Sequence, residues 1–215
     1  MERASDRVLG ELRGEILRGT LAPGDAVASE RALSEQLAVN RQAVREALKR
    51  LEQAGLVRIT QGGPTRVLDW RDAAGLEVLG DLAGVGDALP PDLVRSVVEM
   101  RASIGIDAAR LCVQRASRTA RGRAGALAEE AAALVGTDQP ALEEAYATMW
   151  RAVVEGSENV AYRLAFNSLM RALGVHRAVA DLVLPRDADA IRAFGAALEA
   201  GDAAAAAAGA ARLLA

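Results

Sequence analysis

A chain of 215 residues with 51% hydrophobic but only 3% aromatic side chains must build its interior from Leu, Val and Ala, a composition that favours helix over sheet. A single cysteine, Cys112, excludes an intrachain disulfide and fits a reducing cytoplasm, and no window reaches the roughly 18 apolar residues of a membrane span. The net charge of −3 excludes a uniformly basic nucleic-acid binder but not a local one, because seven basic residues stand against four acidic ones between positions 29 and 66.

No export signal is expected at Met1-Glu2-Arg3, which runs straight into a polar helical pattern. Ser5 is placed to cap a first helix with Val8, Leu9, Leu12, Ile16 and Leu17 on one stripe. Gly19 and Pro23-Gly24 end it. Ser29 caps a second helix with Leu33 and Leu37 inward, and Val39 closes a turn. Asn40 caps a third, where Val44, Ala47, Leu48 and Leu51 recur at helical spacing and Gly55 has the place of the C′ glycine. Leu56–Thr60 is short and β-permissive, Gly62-Gly63-Pro64 is a turn, and Thr65–Val67 can return as a second strand. Three helices followed by a hairpin is the order of a winged helix-turn-helix. From Trp70 to about Asp87 a narrow stripe of Trp70, Ala73, Leu76, Leu79 and Leu82 predicts a linker helix, interrupted by Gly84, Gly86 and Pro90-Pro91. The expected domains are a winged helix-turn-helix over 1–69 and an all-helical domain over 70–215 that begins with the linker helix 70–87.

Beyond Asp92 no strand pattern occurs. Helices are predicted over roughly 92–115, 119–135, 139–155, 158–182, 187–200 and 202–214, broken at Gly136-Thr137-Asp138, Gly156-Ser157, Pro185 and Gly201-Asp202. The expected fold is therefore mostly α: an N-terminal winged helix-turn-helix plus an antiparallel bundle of about six or seven helices.

On the third helix Arg41, Arg45 and Lys49 are spaced i, i+4, i+8, opposite the apolar stripe. A guanidinium at the start of such a helix can donate two bonds to a guanine edge in the major groove. Asn40 and Gln42 can bond phosphate or an adenine edge, and Arg31 opens the preceding helix near the same groove. The plainer alternative, the solvated face of an ordinary amphipathic helix, requires the helix order, the turn and the glycine wing to coincide by chance.

Pro23-Gly24, Ser29-Glu30-Arg31, Leu33, Leu37, Val39-Asn40-Arg41, Val44-Arg45-Glu46-Ala47-Leu48, Leu51 and Gly55-Leu56 resemble the signature of GntR-type transcriptional regulators. The helical remainder resembles the FadR branch. Ile59, the run Gln61 to Val67, and Gly75 to Leu79 are similar to the wing and linker of its fatty-acid-responsive members. The resemblance implies DNA contacts by Arg31, Arg41 and Arg45, with the wing tip at Gln61 and Gly62 in the minor groove. Those members have histidine where this chain has Gln61 and lysine where it has Gly63.

Many FadR-branch domains bind small carboxylates through a metal held by an Asp-x3-His pair and two later histidines. In this sequence those places fall at Tyr146, Trp150, Ile191 and Arg212, none an ordinary ligand for Zn, Ni or Mn. His176 is the only histidine, so no metal and no cofactor are expected. An apolar bundle centre around Met149 and Trp150 suits an acyl chain, and Trp150-Arg151, Asn159 and Tyr162 fit the fatty-acid-responsive pattern. Arg101, Tyr146, Trp150 and Tyr162 are the candidate effector contacts. Arg101 has a competing role as an intrabundle ion pair with Glu99 or another carboxylate, the three aromatics as core, and Glu143-Glu144 is read as a solvated pair. The alanine-rich run 203–211 offers few side chains for a CoA head group, and in the fatty-acid-responsive members the last helix continues past the position of Ala215.

The expectation is a homodimeric, cytoplasmic repressor or activator of fatty-acid metabolism genes. It would bind palindromic operator DNA and be released by long-chain acyl-CoA. The alternative is a regulator of other catabolic genes with another metal-independent effector, or none. An enzyme is not expected, since no nucleophile–base pair, phosphate loop or metal set occurs.

Overall fold

The computed structural model describes residues 3–83, 91–175 and 184–214. The chain divides into two compact units, Met1–Asp87 and Ala88–Ala215. His176, the residues 84–90 around the expected end of the linker, and the end of the helix expected to reach 182 lie outside the described residues.

In the first unit α1 (Ala4–Leu17) and α3 (Arg41–Gln53) pack through Val8, Leu12 and Ile16 against Val44, Ala47, Leu48 and Leu51. Burying each leucine fully contributes about 1.5–3 kcal/mol. α1 begins two residues earlier than its sequence suggests: Ser5 is not the cap but a buried first-turn residue, and Arg3 holds the N-cap position without a side-chain bond. α2 (Glu30–Gln36) is capped by Ser29, whose Oγ accepts from Ala32 N at 3.2 Å. The α2–α3 turn passes through Ala38 at a left-handed φ of 51° and is tied by Ser34 Oγ donating to Val39 O at 2.6 Å. β1 (Val57–Arg58) and β2 (Arg66–Val67) pair antiparallel, Val57 opposite Val67 and Arg58 opposite Arg66. They are shorter than expected, and a third segment supports them: Ala26 bridges Arg66, and Val27 N donates to Thr65 O at 2.8 Å.

The predicted linker helix is two short helices, α4 (Trp70–Ala73) and α5 (Val78–Ala83). Asp69 caps α4 through Arg71 N, and Ala74 turns extended at φ −91°, ψ 158° just before Gly75. Val78 and Leu82 are buried while Leu76 is exposed, so the even stripe over 70–82 does not describe one face. These helices fold with the first unit. Gly55, at φ 72°, sits so close under the Ala73 carbonyl that a side chain there would collide with it. Arg13 on α1 pairs with Asp81 on α5 at 2.5 Å. The boundary therefore falls at Asp87/Ala88 rather than at 69.

Among the described residues the second unit has six helices, α6 (Pro91–Arg115), α7 (Arg118–Leu134), α8 (Gln139–Gly156), α9 (Val160–Val175), α10 (Ala188–Ala200) and α11 (Ala203–Leu214). Their starts are capped by short polar side chains where the sequence breaks: Ser117 for α7, Asp138 for α8, Asn159 for α9, Asp187 for α10 and Asp202 for α11. Gly201 ends α10 at φ 77°. α7 lies between α8 and α10, and α6 packs on α8, α9 and α11. α7 and α10 meet backbone to backbone, because a Cβ on Gly195 would stand 2.7 Å from the Ala128 methyl and one on Gly125 3.2 Å from Gly195 O. The core around Tyr146, Met149, Trp150, Ile191, Phe194 and Leu198 is otherwise filled largely by alanine.

Candidate DNA-binding surface and effector cavity

Two of the helix-turn-helix arginines, Arg41 and Arg45, act on one carboxylate, that of Glu30. Arg45 donates to both oxygens of Glu30, Nε to Oε1 at 3.0 Å and Nη2 to Oε2 at 2.8 Å. Those bonds hold the Glu30 carboxyl below the usual carboxylate range, assisted by the charges of Arg45 and Arg41, and raise Arg45 in turn. The start of α3 is thereby fixed against the start of α2, where exposed Arg31 reaches Glu35 at 3.3 Å. Arg41 and Gln42 are exposed in the first turn of α3.

Asn40 Oδ1 accepts from Ala43 N at 2.8 Å, so its oxygen serves the helix cap. Two-point reading of adenine needs both amide atoms, which leaves Asn40 its nitrogen to donate to phosphate. Gln61 and Gly62 are exposed at the wing tip, Gly62 at φ 74°. Other basic residues are drawn into the scaffold: Arg50 pairs with Asp6 at 2.6 Å, and Arg66 Nη1 donates to Gly24 O at 2.8 Å. Glu30 as the partner of Arg45 was not foreseen; a carboxylate beside the cap of α2, 15 residues before the arginine, is its only signal.

In the second unit α6, α8 and α9 enclose a cavity of about 330 Å³. Its apolar wall includes Ile104, Phe166, Leu169, Met170 and Leu214, and its polar groups include Arg101, Glu143 and the edges of Tyr146 and Trp150. Gly105 lets Leu214 and the Trp150 ring close over α6. Trp150 stacks on Phe194 with centroids 5.3 Å apart and meets Tyr146 edge-on at 6.2 Å. The Arg101 guanidinium lies 5.9 Å above the Tyr146 ring. Burial lowers Arg101 and raises Tyr146 from their ordinary values, and each partly counters the other's shift.

Two buried polar atoms in the cavity's lining side chains have no hydrogen-bond partner among the described residues, Trp150 Nε1 and Glu143 Oε1. Glu143 is thus not the solvated residue its sequence suggests, whereas Glu144 is exposed. Glu99, one of the carboxylates considered for Arg101, approaches Arg95 at 4.0 Å. Tyr162 stands apart from the cavity lining and donates its hydroxyl to Asp107 Oδ2 at 2.9 Å.

Of the four places matching a metal set, Tyr146 and Trp150 line the cavity, Ile191 is fully buried and Arg212 is exposed beside Asp187. A phenol, an indole, an alkyl group and a guanidinium offer no ordinary set of donors to a divalent ion. Among the described residues no helix is long and apolar enough to cross a membrane.

The model for bacterial regulatory proteins of the gntR family matches residues 4–67. The HTH-type transcriptional regulator Mce2R of Mycobacterium tuberculosis is 36% identical over 168 residues, 78% of this chain and 69% of that one. The fatty acid metabolism regulator protein of Erwinia tasmaniensis is 32% identical over 158 residues, 72% of this chain and 63% of that one. A solved structure of the regulator Lar, described as controlling the Listeria monocytogenes agr system, superimposes with a TM-score of 0.63 at 14% identity, covering 100% of this chain and 94% of that one, a likeness of fold. Helix-turn-helix, wing and helical second unit together define a DNA-binding transcriptional regulator. The chain belongs to the GntR family.

Proposed function

We propose that this regulator controls genes of fatty-acid metabolism. Two copies bind a palindromic operator, one winged head per half-site, and a long-chain acyl-CoA releases them. The observation that carries the reading is the cavity of about 330 Å³, within the range of small-molecule sites. Its wall is apolar, with Trp150 where a metal-binding relative would place a ligand. The similarity to a fatty acid metabolism regulator supports it. Arg31, Arg41 and Arg45 read bases from the α2–α3 surface, Asn40 and Gln42 hold phosphate, and Gln61 and Gly62 enter the minor groove. The acyl chain lies among Phe166, Leu169 and Met170, with Arg101, Tyr146 and Trp150 at its polar end.

An effector shifts the equilibrium only by its difference in affinity for the two states. Acyl-CoA therefore binds the DNA-free form more tightly. The test is a titration of the dimer, its mass set by sedimentation, with DNA from its own promoter. Saturating palmitoyl-CoA should weaken binding, and palmitate should not. Unchanged affinity for DNA in saturating acyl-CoA sinks the effector assignment. A second reading, another metal-independent effector and other catabolic genes, is favoured by the higher identity to Mce2R. A thermal-shift series of acyl-CoAs and small carboxylates separates the two.

A further inference from the structure

A second hollow of about 410 Å³ adjoins the effector cavity, and the two share Arg101, Leu184 and Leu214 as walls. Its charged lining is Arg101, Arg186, Asp187 and Arg212. The residues come from three places in the second unit: Arg101 from α6, Arg186 from the turn after Pro185, and Arg212 from the last turn of α11. Among the described residues of this lining, Arg186 and Arg212 stand with one carboxylate, and that carboxylate is already engaged. Asp187 Oδ2 accepts from Arg212 at 2.5 Å, and Oδ1 caps α10 by accepting from Ala190 N at 3.0 Å. The cap and Arg212 together hold Asp187 below the usual carboxylate range. Among the described lining residues, Arg186 therefore adds positive charge beyond the Arg212–Asp187 pair, beside an apolar cavity.

We propose that this hollow is an anion subsite. It takes the phosphate-bearing head of a ligand whose single apolar chain fills the adjoining cavity, with Arg186 and Arg212 donating to the phosphate and Arg101 at the junction. The inference rests on reading the apolar cavity as the effector site. Phosphate is favoured over carboxylate because one guanidinium fork satisfies a carboxylate, whereas several converging forks match the larger number of phosphate oxygens. The alanine-rich face of α11 then does not need to hold the head, since Arg212 at its end and Arg186 opposite supply the donors.

The test measures binding to the full chain, below micelle-forming concentrations, of three probes with the same chain: palmitoyl-CoA, palmitoyl lysophosphatidate and palmitate. Arg186→Ala with Arg212→Ala should weaken both phosphate-headed probes by about tenfold or more and leave palmitate nearly unchanged. Asp187→Asn retains a capping side chain and releases Arg212, so it should tighten the phosphate-headed probes. Both arginines are exposed, and melting curves report whether the variants fold.

Lysophosphatidate binding through the two arginines without acyl-CoA binding upholds the subsite and removes acyl-CoA as effector. Release of DNA by acyl-CoA from wild type and double variant alike overturns the subsite and leaves the effector reading standing. Equal weakening of palmitate, or no binding of either phosphate-headed probe to wild type, also overturns the subsite.

Discussion

Arg45 is held by two hydrogen bonds to Glu30 before DNA arrives. The pair aims a long side chain that would otherwise sample many directions, so the loss from mutation should fall on discrimination more than on general affinity. Arg45→Ala should reduce discrimination at one base pair roughly ten- to hundredfold, and Arg41→Ala should behave similarly at another. Loss of both should leave salt-sensitive, sequence-independent binding. Competition between promoter DNA and single-base variants measures this, and wild-type behaviour in both variants would show the recognition helix to be misassigned.

Cys112 presents the opposite situation, a group withdrawn from chemistry. Burial pushes its thiol up to about 11, and Gly156 on α8 packs over its Sγ. At pH 8 it should resist a disulfide reagent in the native chain and react fully in denaturant. Prompt native reaction would contradict its burial.

At the scale of elements, what the sequence made legible depended on how locally each element is determined. α3 and its Asn40 cap, α2 and its Ser29 cap, and the described helices of the second unit carry their own periodicity and start signals within a dozen or so residues. The linker did not, because Trp70, Ala73, Leu76, Leu79 and Leu82 keep helical spacing straight through the break at Ala74-Gly75. The break is imposed from outside: the Ala73 carbonyl closes on Gly55, and Arg13 draws Asp81 toward α1. Glu143 and the Arg186–Arg212 hollow were hidden for the same reason, since their surroundings are assembled from segments distant in sequence. Gly55 shows the energetic side of this dependence. Gly55→Ala imposes a left-handed backbone on a residue with a side chain and a collision with Ala73, a cost of about 1–3 kcal/mol for the backbone alone. Thermal denaturation should register it as a lower melting temperature of the first unit, and an unchanged melt would contradict the left-handed backbone at Gly55.

For the whole molecule, pH should act mainly from the acid side. Asp6 is held low by its bond to Arg50, Glu30 by Arg45, Asp107 by Arg110 and Tyr162, and Asp187 by its cap and Arg212. A carboxylate depressed by folding contributes stability above its unfolded value, about 4, and loses it as pH falls through the folded value. Asp81 runs the other way: burial raises it despite Arg13, so protonation above its unfolded value favours the fold and offsets a part of the loss. Melting temperature should be nearly level from pH 7 to about 5 and fall below about 4. A fall beginning near neutrality would contradict this set of pairs.

The backbone contact of α7 with α10 has a thermodynamic consequence. Ala124, Ala128, Ala131, Ala190 and Ala197 fill the interior around Gly125 and Gly195. Alanine and glycine have no side-chain rotamers to freeze, so ordering this interior loses less conformational entropy than packing leucines would. The same small side chains hide less apolar surface, and heat capacity follows that surface. Calorimetry should find a heat-capacity increment on unfolding below the usual ~12–15 cal/mol/K per residue, giving a stability curve broad in temperature rather than high at its maximum.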